Sequence, residues 1–347
     1  MLASAGWMRI QLGDRAVGDE QPSYLIAAIG SNHDGSLDRA LALIDAAAGA
    51  GADAVRFQSF RPATLLARRW PHPDGGWRAA EGFPVLERLA VPNEWHPLLR
   101  DRARARGLAF LSTPFDESRA SLLAALGVPG FKMAAGDVTH LPLLRRVASY
   151  GRPIILSTGL ATSAEIESAV QAIVAGAGSP ARRPPIVLLQ RDADLRALAT
   201  MRLRHGCLVG WSDHAPGHAL ALGAVTLGAC IVEKPFTDDP GRLGPDHAGA
   251  TEPVAWSAMA LAIRDLEAGL GDGHQRPGAN EDLERVWIRR SVYAARAIAA
   301  GAMIEAADLK IVRPGIGVPP AAFATLVGRR AHRAIEIDEP LRPDDGE

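Results

Sequence analysis

Short apolar segments alternate with longer segments of helical periodicity along most of this 347-residue chain. The apolar segments show continuous rather than alternating hydrophobicity, which predicts strands covered on both faces and therefore a parallel sheet. Eight strands that are each followed by a helix, over about 250 residues, are typical of a closed (β/α)8 barrel. The predicted strands begin at Tyr24, Ala54, Ala109, Gly130, Ile154, Ile186, Leu208 and Cys230.

A doubly wound open sheet is the competing fold, but it usually has fewer strands and an early glycine-rich phosphate-binding turn. We therefore predict an α/β fold with a TIM barrel over residues 1–270. A polar linker over 271–284 and a small domain over 285–347 follow, because short β-like runs broken by Gly and Pro replace the earlier pattern. The spacing of Thr162 and Glu165 predicts a capping box at one barrel helix.

Composition narrows the classes of partner. The formal net charge of −1, with no long run of one sign, argues against a general nucleic-acid surface. Two cysteines inside apolar runs fit a reduced cytoplasm better than a disulfide scaffold. No apolar stretch approaches the roughly 18 residues of a membrane span, and no signal-like start precedes the first strand. We expect a cytoplasmic protein.

The segment 61–83, rich in Trp, Arg, Pro and Gly, predicts a long loop after the second barrel strand. Such loops lie on the catalytic face of a barrel. The segment is therefore a candidate lid, and a disordered insert is the alternative.

Polar residues cluster where the predicted strands end, and in a barrel these ends face the site. Arg56 and Lys132, flanked by hydroxyl side chains, suit an anion with several oxygens such as a phosphate or a carboxylate. The alternative is a structural ion pair of Arg56 or Lys132 with Asp137 or Glu233, because an unpaired buried cation is costly. The strand-end residues are Asn32, His33, Arg56, Gln58, Ser112, Thr113, Lys132, Asp137, Ser157, Thr158, Ser212, Asp213, His214, Glu233 and Lys234.

Three further groups of residues give weaker indications of a functional site. His214 and His218 have a spacing compatible with a metal site, although two histidines alone are thin evidence. His33 either caps a turn or touches a substrate. Asp246 and His247 are either ligands or part of a tight turn.

The strand-end motifs, in their order along the chain, resemble those of the N-acetylneuraminate (sialic acid) synthase family. They are AAIGSNHDG, AVRFQSF, STPFD, FKMAAGD, LPLLRRVA, ILSTGLAT, GWSDHA, VEKPFTDD and GPDHAGATEP. The C-terminal motifs RRSVYAARAIAAG, VRPGIG and LVGRRA resemble the small antifreeze-like (SAF) domain of the family.

The resemblance implies that phosphoenolpyruvate is condensed with the open-chain aldehyde of an N-acylated sugar, with release of phosphate and usually with a divalent cation such as Mn²⁺. It also implies a homodimer in which the small domain of one subunit, through Arg313, caps the barrel of the other. The implied metal ligand is His214. His33, Asp137 and Asp246 are the candidate catalytic residues, and Asp246 is expected to face the sugar. The implied substrate-binding residues are Arg56, Gln58, Thr113, Lys132, Ser157, Ser212 and Arg313.

The sequence departs from the family pattern around the implied metal and acceptor. Pro235 stands where the family has a second histidine ligand, and Ala28 stands where it has a glutamate. Arg191 follows the sixth strand, where the family has a cysteine and then Tyr-Pro, and it is a candidate to neutralise charge or to bind an acidic acceptor. We therefore expect a weak or absent divalent-cation site.

Three functional hypotheses remain open at this point. The first is a synthase that joins phosphoenolpyruvate to an aldehyde acceptor with an altered metal site. The second is another reaction of phosphoenolpyruvate on the same fold, either enolpyruvyl transfer or hydrolysis. The third is a non-catalytic homologue that acts as a ligand-binding or regulatory subunit.

Overall fold

The computed structural model describes residues 8–72, 74–191 and 194–346, so Asp192 and Ala193 of the sixth strand's loop lie outside the described residues. The chain divides into two compact units, Met1–Gly271 and Asp272–Glu347.

The first unit is a barrel of eight parallel strands, as the sequence predicts. Neighbouring strands are hydrogen-bonded in the order β7-β4-β3-β12-β11-β10-β9-β8, and the outermost two, β7 and β8, lie side by side. The strands of the unit are β1 (Arg9–Leu12), β2 (Arg15–Gly18), β3 (Tyr24–Gly30), β4 (Ala54–Ser59), β5 (Arg69–Pro71), β6 (Trp77–Ala79), β7 (Ala109–Pro114), β8 (Phe131–Met133), β9 (Ile154–Ser157), β10 (Ile186–Arg191), β11 (Leu208–Ser212) and β12 (Ile231–Pro235).

Each barrel strand is followed by a helix that covers the outside of the sheet. The first helix buries Ala40, Leu43, Ile44 and Ala47, which recur three or four residues apart and therefore form one apolar face. The predicted capping box is present at α7. The helices are α1 (Leu37–Gly49), α2 (Pro62–Leu65), α3 (Gly82–Leu89), α4 (Trp95–Ala105), α5 (Glu117–Leu126), α6 (Leu141–Ala148), α7 (Ser163–Gly176), α8 (Ala197–His205), α9 (Ala219–Thr226) and α10 (Pro253–Leu270).

Side chains alternate between the two sides of every barrel strand. Leu25, Val55 and Phe110 belong to the outer core between sheet and helices. The inward side chains on the N-terminal half of the barrel form a second apolar core. Because strands have a period of two, residues two positions further along the same strands also point inward, toward the C-terminal end that we call the barrel mouth.

A hairpin that the sequence analysis did not predict closes the other end of the barrel. Strands β1 and β2 pair antiparallel, with Arg9 opposite Gly18. Ile10, Leu12 and Val17 of this hairpin join the inner apolar core. Each of its strands has only four residues, so the alternation of apolar and polar side chains is too short to be recognised in the sequence.

The segment after β4 is an ordered insert composed of α2, the β5–β6 hairpin and α3. Arg61 and Thr64 both donate hydrogen bonds to Oδ2 of Asp116, at 2.9 and 2.7 Å, and Asp116 is the N-cap residue of α5. The other end of the insert contacts the loop after β3, because a Cβ placed on Gly35 would lie 2.7 Å from the carbonyl oxygen of Arg88. The insert is thus anchored at both ends, which argues against the disordered alternative.

The second unit has its own small apolar core, built from residues such as Val292, Ile304 and Leu341. Its secondary structure consists of α11 (Ala279–Ile288), β13 (Ser291–Ala294), β14 (Leu309–Val312) and α12 (Phe323–Leu326), with β13 and β14 antiparallel. Arg313 follows β14 directly and is exposed on this unit. Within the described part of the chain, no helix combines the length and apolar character needed to cross a membrane.

Candidate active site

A layer of polar side chains lies inside the barrel mouth, directly above the inner apolar core. On several strands an apolar inward residue precedes the polar one by two positions, as Leu111 precedes Thr113 and Leu189 precedes Arg191. Ser112 and Lys234 are among the strand-end residues that point the other way. Ser112 donates to the carbonyl of Phe57 at 3.3 Å, and Lys234 donates to Asp213 at 2.7 Å. The inward layer comprises Ala28, Arg56, Gln58, Thr113, Lys132, Ser157, Arg191, Ser212, Glu233 and Pro235.

Glu233 lies between two cations at the centre of this layer. Its Oε1 is 3.1 Å from Nε of Arg56, and its Oε2 is 3.3 Å from Nζ of Lys132. Lys132 also donates to Oγ of Ser157 at 2.7 Å, and Ser212 donates to Glu233 at 3.3 Å. The ion-pair alternative is therefore realised at Glu233, yet one carboxylate faces two cations and leaves an excess of positive charge.

Burial and the neighbouring charges set the protonation of this group. Burial lowers the pKa of Lys132 to about 8; Glu233 opposes the shift and Arg56 adds to it. Burial by itself raises the pKa of Glu233, but Lys132 and Arg56 outweigh it and lower that pKa to about 2. At neutral pH the group thus holds one negative and two positive charges.

Arg191 adds a third cation to the mouth. A Cβ placed on Gly159 would lie 2.9 Å from Cδ of Arg191, so the side chain crosses closely above that glycine. Its charge contributes to the lowered pKa of Lys132. We call Arg56, Lys132 and Arg191 the cation cluster.

Two polar atoms next to the cation cluster are buried without a hydrogen-bond partner among the described residues: Oγ1 of Thr113 and Oδ2 of Asp137. A buried polar atom left unpaired costs about 1–3 kcal/mol, so such atoms often mark a ligand site. Burial raises the pKa of Asp137, against the influence of His140 and Lys132. Hydroxyl, carboxyl and cations together suit an anion that both accepts hydrogen bonds and exchanges a proton.

His33 is buried beside the turn that follows β3. Its Nδ1 accepts a hydrogen bond from the backbone N–H of Gly35 at 3.1 Å, and its ring packs against Phe57 and Trp95. Burial lowers the pKa of His33 to about 4, so the ring is neutral at pH 7. These contacts agree with the capping interpretation, while its Nε2 has no hydrogen-bond partner in the described chain.

Asp246 lies at the edge of the mouth beside the end of β3. Its Oδ2 accepts hydrogen bonds from the backbone N–H and the hydroxyl of Ser31, at 3.1 and 2.6 Å. Gly30, with φ +58°, makes room for this carboxylate, because a Cβ there would lie 2.8 Å from Oδ2 and 3.8 Å from Nε2 of Gln58. Asp246 and Gln58 therefore stand next to each other.

His247 connects two loops of the mouth, a role that the sequence analysis left open. Its Nδ1 is 2.7 Å from Oγ1 of Thr237, and its Nε2 is 3.0 Å from Oδ1 of Asp34. The side chain is fully buried. The residue thus fixes the backbone next to Asp246, and only the folded structure reveals its two partners.

The implied metal ligands do not form a site that fits a divalent cation. Pro235 is the direct register partner of Ala28, and neither side chain offers a donor atom. His214 is exposed and its Nε2 is 3.3 Å from Oγ of Ser212. Among the residues that the structure describes, no three His, Cys, Asp or Glu side chains converge as a metal site.

A (β/α)8 barrel whose mouth holds a cation cluster and hydroxyl groups has the chemistry that suits a small, oxygen-rich anion. Comparison of the sequence with known protein families agrees with the resemblance that the strand-end motifs indicate. The NeuB family model matches residues 43–275, and the SAF domain model matches residues 289–345. The chain belongs to the NeuB family.

Similar proteins support this assignment over nearly the whole chain. The N,N'-diacetyllegionaminic acid synthase of Legionella pneumophila is 34% identical over 331 residues, which cover 92% of this chain and 93% of that protein. The N-acetylneuraminate-9-phosphate synthase of Mus musculus is 28% identical over 341 residues, covering 94% and 93%. The crystal structure of N-acetylneuraminic acid synthetase from Leptospira borgpetersenii, in complex with citrate, superposes with a TM-score of 0.71 at 30% identity and covers 80% of this chain and 95% of that one.

Proposed function

We propose that this protein condenses phosphoenolpyruvate with the aldehyde of an open-chain sugar and releases inorganic phosphate. The observation that carries the proposal is the cation cluster around Glu233. Beside it lies the buried hydroxyl of Thr113, which has no hydrogen-bond partner among the described residues. Phosphoenolpyruvate carries a phosphate and a carboxylate, and guanidinium and ammonium groups bind such oxygens best when water is excluded. The names of the relatives place them in the same class of sugar-acid synthases.

The reaction follows from how these residues would hold the two substrates. Arg56, Lys132 and Arg191 neutralise the phosphate and carboxylate, and Thr113 and Ser157 hydrogen-bond to their oxygens. C3 of phosphoenolpyruvate attacks the aldehyde carbon, and the aldehyde oxygen takes up a proton. Water then adds to C2, and the bond from C2 to the phosphate oxygen breaks to release phosphate.

Asp137 is our candidate for the proton that the aldehyde oxygen receives. Its pKa is raised by burial, so it retains a proton more readily than an exposed carboxyl group does. A general acid of this kind typically contributes about 10²–10⁴-fold to a rate. Asp246 and Gln58, adjacent at the edge of the mouth, would hold the sugar hydroxyl groups.

The proposal assigns no step to a divalent cation. In the family pattern the metal polarises the aldehyde, but here Ala28 and Pro235 provide no ligands and His214 is exposed. The positive charge of the cation cluster, together with the proton on Asp137, would have to stabilise the oxygen instead. We also propose, from the family resemblance, a cytoplasmic homodimer in which Arg313 of one subunit reaches the barrel of the other.

The same Ala28–Pro235 pair favours a second candidate, a non-catalytic homologue that binds phosphoenolpyruvate and pairs with an active relative. Transfer or hydrolysis of the enolpyruvyl group is the remaining alternative. Phosphate release measured with and without sugar aldehydes separates the three: release only with an aldehyde supports the synthase, and release with water alone supports hydrolysis. Binding without any release supports the non-catalytic homologue.

The decisive experiment is calorimetric titration of phosphoenolpyruvate into metal-stripped protein, followed by the phosphate-release assay. Binding should weaken roughly 100-fold in Lys132→Ala, since breaking a buried, charged interaction costs about 2–5 kcal/mol. Arg204→Ala is the control, because Arg204 is an exposed cation of α8, on the outside of the barrel. Unchanged affinity in Lys132→Ala would reject the cation cluster as the binding site.

A further inference from the structure

A cavity of about 670 Å³ lies at the N-terminal end of the barrel, opposite the mouth. The segments that enclose it include the turn of the β1–β2 hairpin, the chain between α4 and β7, and the chain between α5 and β8. Small-molecule sites in proteins usually have volumes of about 300–1,000 Å³. The chemistry of TIM-barrel enzymes takes place at the other end of the barrel, so the proposed reaction makes no use of this cavity.

Tyr24 brings a buried hydroxyl group to the cavity. It is the first residue of β3, it is 1% exposed and it lines the cavity. Its hydroxyl has no hydrogen-bond partner among the described residues, although a buried tyrosine hydroxyl usually finds one. The charged groups that act on this hydroxyl are Asp53 and Arg15, which also line the cavity. Burial raises the pKa of Tyr24, so the hydroxyl keeps its proton and can donate to a ligand.

Two of the arginines that line the cavity are already engaged. Arg15 forms an ion pair with Asp53, and its guanidinium lies 5.5 Å from the centre of the Tyr24 ring. Arg100 donates a hydrogen bond to the carbonyl oxygen of Leu126, the last residue of α5, at 3.0 Å. This bond satisfies one of the carbonyl groups that a helix leaves unpaired at its end. Both contacts fix the lining before any ligand arrives.

Arg104 is a cation of the lining that remains available. It lies in the last turn of α4, is exposed, and forms no ion pair with the described residues. Asp14, an exposed residue of the hairpin turn, is the acidic lining group that likewise has no ion-pair partner in the described chain. A guanidinium group binds a carboxylate or a phosphate through two parallel hydrogen bonds. Arg104 therefore favours an anionic ligand, and Asp14 opposes it.

The rest of the lining is largely apolar, and it includes Leu12, Leu108 and Val128. These three side chains belong to the packed cores of the barrel, so the apolar wall is rigid. Gly107 and Gly127 add open space, because no described atom lies within 4 Å of a Cβ placed on either of them. An inorganic anion would leave this wall without contacts, whereas a ligand with an apolar body would cover it.

We propose that this cavity is a second binding site, for a small organic anion that joins a carboxylate or phosphate group to an apolar or aromatic body. Arg104 and the hydroxyl of Tyr24 bind the anionic group, and Leu108 and Val128 contact the body. The inner apolar core fills the barrel between this cavity and the mouth. The ligand therefore does not compete with phosphoenolpyruvate, and the inference stands apart from the proposed reaction.

The test is calorimetric titration of phenyl phosphate into the full-length Lys132→Ala protein, in which the competing cation cluster lacks one of its charges. Phenyl phosphate should bind about tenfold more tightly than inorganic phosphate or phenol, because each of these carries only one of the two recognised parts. Adding Arg104→Gln or Tyr24→Phe should weaken its binding about tenfold, which is the effect of losing one hydrogen bond to a charged group. Adding Asp14→Asn should strengthen binding, because it removes the opposing charge.

Arg204→Gln is the matched control, because Arg204 is an exposed arginine in the last turn of another helix, α8. Unchanged affinity in Arg104→Gln or in Tyr24→Phe overturns the inference, and so does equal binding of inorganic phosphate. If the unmodified protein binds phenyl phosphate and Lys132→Ala abolishes the binding, the ligand lies in the mouth and the inference is wrong. Absence of binding at millimolar phenyl phosphate in both proteins overturns it as well.

Discussion

Pro235 and Ala28 are direct partners across strands β12 and β3, and Ala28 is in turn the partner of Arg56 on β4. Two positions that depart from the family pattern are thus neighbours at one point of the barrel mouth. Their side chains offer no lone pairs, whereas the next strand presents a guanidinium. The two positions that the family resemblance relates to metal binding therefore lie beside a cation of the protein itself.

The first prediction concerns metal affinity. Restoring donors in the double variant Ala28→Glu/Pro235→His should strengthen Mn²⁺ binding at least as much as an outer-shell partner does, roughly 10–100-fold. Electron paramagnetic resonance of free Mn²⁺ measures this affinity directly. Adding His214→Ala should remove the gain, because His214 follows Ser212 by two residues and Ser212 pairs in register with Glu233. A gain that persists without His214 would place the ion elsewhere.

The second prediction is that the affinity for phosphoenolpyruvate falls at alkaline pH, a decline that we call the pH limb. Because burial lowers the pKa of Lys132 to about 8, affinity should fall by up to about tenfold per pH unit above this value. The phosphate is fully ionised above about pH 7, so the limb belongs to the protein. Calorimetry between pH 7 and 9.5 measures it, and Lys132→Arg, which stays charged, should show no limb.

The same group makes a prediction for the stability of the ligand-free protein. In the folded state burial lowers the pKa of Lys132 to about 8, whereas the pKa of an unperturbed lysine is 10.5. Between these values the unfolded chain binds more protons, so the contribution of Lys132 to the free energy of unfolding rises with pH. Urea denaturation at pH 7.5 and 9.5 should show a smaller gain at high pH in Lys132→Met than in the unmodified protein.

The fourth prediction concerns Glu233, which forms an ion pair with Arg56 and another with Lys132. Glu233→Gln leaves two buried cations without their carboxylate and should destabilise the protein by about 3–5 kcal/mol. Added phosphate should restore much of this loss, because an anion can replace the missing charge. Thermal unfolding with and without phosphate reports both effects; equal phosphate stabilisation of variant and unmodified protein would contradict the prediction.

The fifth prediction concerns His247. Replacing it with alanine removes one hydrogen bond from Thr237 and one from Asp34, and a typical intramolecular hydrogen bond contributes about 0.5–1.5 kcal/mol to stability. Because His247 fixes the backbone beside Asp246, the KM for the sugar should rise more than the KM for phosphoenolpyruvate. Urea denaturation and steady-state kinetics measure the two effects. A uniform loss of activity with unchanged KM values would indicate a purely structural role.

The sequence predicted the barrel well because each strand is an uninterrupted apolar run and each helix has its own apolar face. It also placed Arg56, Lys132 and Thr113 at strand ends, since charged or hydroxyl residues at the end of a buried strand are conspicuous. It could not tell that Glu233 bonds to both cations or that Lys234 points outward, because these facts depend on strand register. The β1–β2 hairpin and the His247 bridge arise from contacts between distant segments and left no periodic signal.

The apolar core inside the barrel and the β1–β2 hairpin beneath it have a kinetic consequence. They fill the barrel below Lys132, so a ligand reaches the cation cluster from the mouth, where Gln58 and Asp246 lie at one edge. A sugar bound at that edge would cover an anion already seated beneath it. Phosphoenolpyruvate would then have to bind first and phosphate leave last, and in such an ordered mechanism phosphate inhibits competitively against phosphoenolpyruvate.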